Sequence, residues 1–165
     1  MALTKVQADG LNLADDFAFT GTVTKSNQPV FCATHTSAGN LTTDTTYRIK
    51  PHNNILTNIG SSYSNSGGGS RFTAPVAGTY MFVAYALQLG SVSSNLIFGK
   101  NGSHTTHGTN SEGRAISSAN NELNVGIQLI LTLAQNDYVE VFYRRTGGTG
   151  NWYSAHGAFS GFLIG

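Results

Sequence analysis

The side chains best suited to metal binding or nucleophilic chemistry are five histidines and one cysteine, and their spacing argues against both. His104 and His107 stand three apart in SHTTHG, a spacing that makes a shared face only on a helix. The surrounding residues read as a hairpin or loop, and no third ligand follows at metal spacing, so solvated loop histidines and no metal are expected. His35, His52 and His156 are isolated. Cys32, in PVFCATH, excludes an internal disulfide and reads as a small buried hydrophobe rather than a nucleophile. No G-x-S-x-G elbow and no glycine-rich phosphate loop opening a helix is present; SNSGGGSRF leads into a strand. The sequence therefore points to no catalytic residue, no cofactor and no enzyme. Contact chemistry is better represented. Trp152 and Tyr153 lie in TGGTGNWYSAHG, read as a glycine-rich loop, with His156 after them. Such an aromatic pair can stack on a sugar ring or anchor a protein contact; the alternative is that Trp152 folds back over the domain end. Trp152, Tyr153 and His156 are the candidate ligand or receptor contacts.

These residues need a scaffold, and the scaffold reads as all-β and antiparallel. Apolar residues alternate in short runs between Gly, Asn and Ser clusters. In ELNVGIQLILTLAQ, Leu123, Val125, Ile127, Leu129, Leu131 and Leu133 share one face. Further strands are predicted over 29–36, 45–50, 54–58, 95–100, 103–106, 138–145 and 157–164, with a type I′ turn at Asn101-Gly102 and a turn at QND. GSSYSNSGGGS also reads as a loop, because Gly and Ser lose much entropy inside an element. Asp137 and Glu140 read as turn and strand-surface acids. The strand inside RFTAPVAGTYMFVAYALQLG is apolar on both faces: Tyr80, Phe82, Ala84 and Ala86 point one way, Met81, Val83, Tyr85, Leu87 and Leu89 the other. An antiparallel strand over a single core alternates apolar and polar, so the second face needs a second layer or a partner.

The 165 residues suit one domain, 28–165, preceded by an arm, 1–27. Charged residues make up 10% and the net charge is +1, which offers phosphates no attracting field; nucleic acid is not an expected partner. No apolar run approaches the roughly 20 residues of a membrane span, so no membrane insertion is expected. MALTKVQADG lacks a hydrophobic signal core, and no secretory route is expected.

Residues 72–82, with Phe72, Gly78, Tyr80 and Phe82 in F-x5-G-x-Y-x-F, resemble the signature of the complement component 1q globular-head family, whose fold is shared with tumour necrosis factor. The closing FSGFLIG is similar to the family's last strand, and NLIFGKNGS and GIQLILTLAQNDYVEVFY fit between in order and spacing. The likeness covers residues 28–165. Position 84 departs from it: Ala stands where the family carries an aromatic, and Tyr85 is shifted by one. Upstream, Asn65 stands where another aromatic belongs, with Tyr63 nearby. The resemblance implies a ten-strand jelly-roll sandwich assembling as a homotrimer, with Tyr80, Phe82 and Tyr85 in the core or at the trimer interface. The family's calcium site is not carried over, since RTGGTGNWYSAHG has no carboxylate.

The arm differs in character. ADGLNLADDFAFTGTVT is similar to short linking segments in tail-fibre and other virion proteins of tailed bacteriophages, and is read as an extended arm docking through Phe17 and Phe19. The two resemblances together imply a non-enzymatic, trimeric virion-surface protein, either capsid decoration or head fibre, or tail-fibre tip. Its partners would be other capsid or tail proteins and a host-surface glycan or protein, met through loops 60–70, 102–121 and 146–156. The alternative is a soluble or secreted trimeric ligand- or carbohydrate-binding module of the same fold, with no virion.

Overall fold

The computed structural model describes residues 28–36, 40–41, 48–49, 52–66, 69–104, 114–119 and 123–164. The arm, with Phe17 and Phe19, lies outside the described residues, as does His107. Ten strands follow one another among the described residues: β1 (Val30–Thr34), β2 (Asn40–Leu41), β3 (Arg48–Ile49), β4 (Asn54–Ile59), β5 (Tyr63–Ser64), β6 (Arg71–Thr73), β7 (Gly78–Lys100), β8 (Arg114–Ala119), β9 (Leu123–Leu133) and β10 (Tyr138–Leu163). The described residues contain no helix.

Two strands are far longer than the sequence predicts, and they organise the rest. β7 and β10 pair antiparallel from Val139 opposite Lys100 to Leu163 opposite Tyr80. The predicted strands 95–100, 138–145 and 157–164 are parts of this ribbon, and 146–156 is strand rather than loop. On a straight strand Phe82 and Phe98 would lie about 50 Å apart. Their ring centroids are 6.1 Å apart, so the ribbon doubles back on itself. Each half then belongs to a different layer. In the first layer β9 pairs with residues 78–88 of β7, and β1, flanked by β4, pairs with 158–162 of β10. In the second, β8 pairs with residues 92–97 of β7, while β6 and β3 pair with the first residues of β10 and β5 pairs with β6. The result is a two-layer antiparallel jelly roll.

Glycine pairing explains why a stretch that reads as a breaker is a strand. Gly150 faces Gly90, and Gly147 and Gly148 face Ser93 and Val92, where the ribbon crosses between layers. Close backbone approach at such a corner suits residues without a Cβ. Irregularities between Arg145 and Gly147, and between Tyr153 and Gly157, flank the crossing. The strand predicted at 103–106 does not form at its start: Ser103 only bridges Lys100, and β8 is the strand that returns along β7. Asn101 (φ 52°) and Gly102 (φ 77°) do make the expected turn with two left-handed residues.

Between the layers sits an aromatic core. Phe31 stacks on Tyr63 and Phe72 at 4.9 and 5.1 Å and meets Phe159 edge-on at 4.7 Å. Phe72 also contacts Tyr80 and Phe82 at 5.1 and 5.2 Å. Tyr63 thus supplies an aromatic near the position where Asn65 departs from the family pattern, pairing with Phe72 across β5 and β6.

Candidate functional site

The outward face of the first layer is where the alternation of β7 becomes a surface. Tyr80, Phe82, Ala84 and Ala86 are buried, whereas Val83 and Tyr85 are exposed. The three residues expected in the core or at an interface therefore divide: Tyr80 and Phe82 are core, and Tyr85, 44% exposed, faces outward. Strand register extends this surface across the layer. Ile130, Met81, Phe162, Val30 and Ile59 face one another in turn over five strands. Of these, Ile130 is 57% exposed and Phe162 43%. The next row, Gln128, Val83, Ser160, Cys32 and Thr57, is more polar. Cys32 is half-buried on this outward side, between the buried Phe31 and Ala33, rather than packed in the core. Shallow open depressions lie beside Met81 and Ile130, and between Tyr85 and Gly126. Ile130 is the member that strand patterning passes over, and its signal is an apolar residue on the polar side of β9.

Strand directions give the molecule two ends. At the lower end lie the root of β1, the turns at 74–78, 101–102 and 134–137, and the close of β10. Gln28 donates from Nε2 to the carbonyl of Leu163, and the Leu163 amide donates to Pro29 at 3.0 Å. At the upper end is the crest, where the ribbon folds over. Trp152 and Tyr153 lie there in strand, opposite Gln88 and Leu87 on one side and Leu41 and Asn40 on the other. His156 is exposed, inside the irregularity before Gly157. Of the three expected contact loops, residues 60–61 and 102–104 are at the lower end, 146–156 is at the crest, and 114–119 is strand whose Ala119 end pairs with Val92, opposite Gly148 of the crest.

Among the described residues, Asp137, Glu140 and His104 are titratable groups whose surroundings are set by the fold. Asp137 ties the lower turns together. It accepts from Asn101 Nδ2 at 2.8 Å and from the Ala134 amide at 2.9 Å, and pairs with Lys100 at 2.7 Å. The Asn101 bond, then the Lys100 bond and the Ala134 amide, hold its carboxyl well down, to about 2. Glu140, expected at the strand surface, is 4% exposed; burial pushes its pKa up, opposed by Arg71. His104 is half-buried beside Phe142, at 5.3 Å between centroids, rather than solvated. Burial and then the Arg144 charge push its pKa down. Among the described residues no three His, Cys, Asp or Glu side chains gather to hold a metal.

A family model described as "C1q domain" matches residues 30–164. Among solved structures, the globular domain of zebrafish complement 1qA protein is similar at 18% identity and a TM-score of 0.61, over 84% of this chain and 98% of that one. Murine APRIL at pH 8.0 is similar at 18% identity and a TM-score of 0.58, over 82% of this chain and 98% of that one. At such identities the likeness is one of fold. No curated relative matches the sequence.

Proposed function

This chain belongs to the C1q domain family, and on that premise we propose that it assembles as a homotrimer through the outward face of the first layer and acts as a non-enzymatic display module. The observation that carries the reading is the row Ile130, Met81, Phe162, Val30 and Ile59, apolar across all five strands, with Ile130, Phe162 and Ile59 exposed and Met81 and Val30 half-buried in the single chain. A closed three-fold ring removes such a face from water without leaving a sticky edge. Light scattering on the full chain should give three times the 17.4 kDa chain mass. Met81→Arg with Ile130→Arg should give the single-chain mass with strand content retained. A wild-type monomer overturns the trimer.

The finer reading is a bacteriophage virion-surface knob, held by residues 1–27 and presenting its crest. Its support is the linker-like FAFTGTV segment of the arm, together with the separation of arm root and crest at opposite ends. Trp152, Tyr153 and His156 are then the contacts to a host glycan or protein. Fluorescently labelled protein mixed with candidate host cells checks this. Binding that drops at least ten-fold in Trp152→Ala, Tyr153→Ala supports adhesion, and binding equal to that double variant removes it. Loss of the chain from assembled particles when residues 1–27 are deleted checks the docking role.

A further inference from the structure

The turn that follows β7 carries the one Asn-Gly pair in the chain, Asn101-Gly102. Asparagine is chemically labile, and most so before glycine, where no Cβ shields the nitrogen that can attack its side chain. Both residues are exposed, so water reaches them.

The fold nevertheless holds this side chain by both of its polar atoms. Asn101 Nδ2 donates to Asp137 Oδ1 at 2.8 Å, and Asn101 Oδ1 accepts from the Tyr138 amide at 2.9 Å. The Asn101 amide donates to the Tyr138 carbonyl at 2.9 Å, so main chain and side chain grip the same residue of β10. Lys100 and Ser103 close the turn from the other side with two backbone bonds, of 3.1 and 3.0 Å. Cyclisation swings Cγ toward the Gly102 nitrogen and turns it from planar to tetrahedral, which the bonds to Asp137 and Tyr138 resist. Asp137 is also ionised at neutral pH, and its charge opposes the negative charge that builds on Asn101 Oδ1 as the ring closes.

We propose that Asn101 is a fold-gated deamidation site, silent while Asp137 and Tyr138 hold its side chain and reactive when the lower turns open. In that step the Gly102 nitrogen bonds to Asn101 Cγ and gives its proton to water. The Cγ–Nδ2 bond breaks, and Nδ2 takes a proton from water and leaves as ammonia. Water then opens the cyclic imide at either carbonyl, giving aspartate or isoaspartate at position 101. The sum is one water consumed and one ammonia released, with nothing oxidised or reduced. Either product puts a carboxylate where a donor faced Asp137, and isoaspartate also lengthens the main chain within a tight turn. Like charges that close repel, so the turn does not re-form with its former bonds. The modification therefore loosens the lower end, where β1 begins, and leaves the crest untouched. It depends on neither the trimer nor the role of the arm.

Peptide mapping by mass spectrometry, on the full chain kept folded or in urea at mildly alkaline pH, tests this. In urea Asn101 should convert ahead of every other asparagine. In the folded wild type it should convert more slowly by about ten-fold or more. Asp137→Ala should raise the folded rate by about three-fold or more and leave the urea rate unchanged, with circular dichroism showing that the strands persist. Asn101→Asp, which reproduces one product, should melt below the wild type at neutral pH. A folded wild-type rate equal to or above the urea rate overturns the gate, and needs no variant to fold. A folded Asp137→Ala chain that converts no faster than the wild type overturns it too. Conversion in urea that starts at another asparagine removes the site itself.

Discussion

Asp137 joins two turns, 101–102 and 134–137, through one carboxylate, so the lower end should be sensitive to its charge. Its folded pKa, about 2, lies below the ordinary 3.8. A depressed carboxyl stabilises the fold above its ordinary pKa and loses that contribution as pH falls toward 2. Asp137→Asn should cost about 1 kcal/mol at neutral pH, discounted for the water that reaches the pair, and should flatten the fall in stability between pH 4 and 2. Thermal melts over that range check it. Two nearby asparagines are left-handed, Asn101 at φ 52° and Asn136 at φ 70°, yet they should respond oppositely to glycine. Asn136→Gly should be neutral or stabilise by up to about 1 kcal/mol, relieving backbone strain. Asn101→Gly should destabilise by about 1–2 kcal/mol, because the Asn101 side chain also bonds Asp137 and the Tyr138 amide. The Asn101-Gly102 turn was legible in the sequence because its signal is local. The burial of Glu140 was not, since strands distant in sequence, β6 and β7, flank it.

At the level of elements, the folded ribbon makes both layers depend on one aromatic cluster. Phe72, fully buried between Phe31, Tyr80 and Phe82, should cost about 3–5 kcal/mol when cut to Ala, detected as a lower midpoint in denaturant. Gly161 tests the opposite error. A Cβ there would sit 2.6 Å from the Phe82 ring, 2.9 Å from the Phe31 ring and 2.9 Å from the Met81 carbonyl. Gly161→Ala should therefore destabilise by about 1–3 kcal/mol through overpacking. Phe72, Tyr80 and Phe82 stood out as anchors through the family resemblance and not through spacing, whereas the division of β7 into two faces was readable from alternation. The crest was not. Gly147, Gly148 and Gly150 read locally as breakers, and only the partner strand carrying Gly90 shows why they remain in a ladder. Trp152 and Tyr153 accordingly move from a loop to a paired strand.

For the whole molecule, the same ribbon fixes a direction of load. β1 and the close of β10 are antiparallel neighbours whose outer ends, Val30 and Phe162, lie at the same pole. Pulling on those two ends would peel the ladder one rung at a time, like a zip. A tether at the arm and a grip at the crest would instead pull along the strands. The ladder bonds lie across that direction, so they would be strained together, in shear. The rupture force between residue 28 and the crest should therefore exceed that between residues 28 and 164, measurable by single-molecule pulling from cysteines at those points in a Cys32→Ser background. A fold anchored at one pole and gripped at the other is strong along the line in which it would be tugged, and weak along the line that joins its two ends.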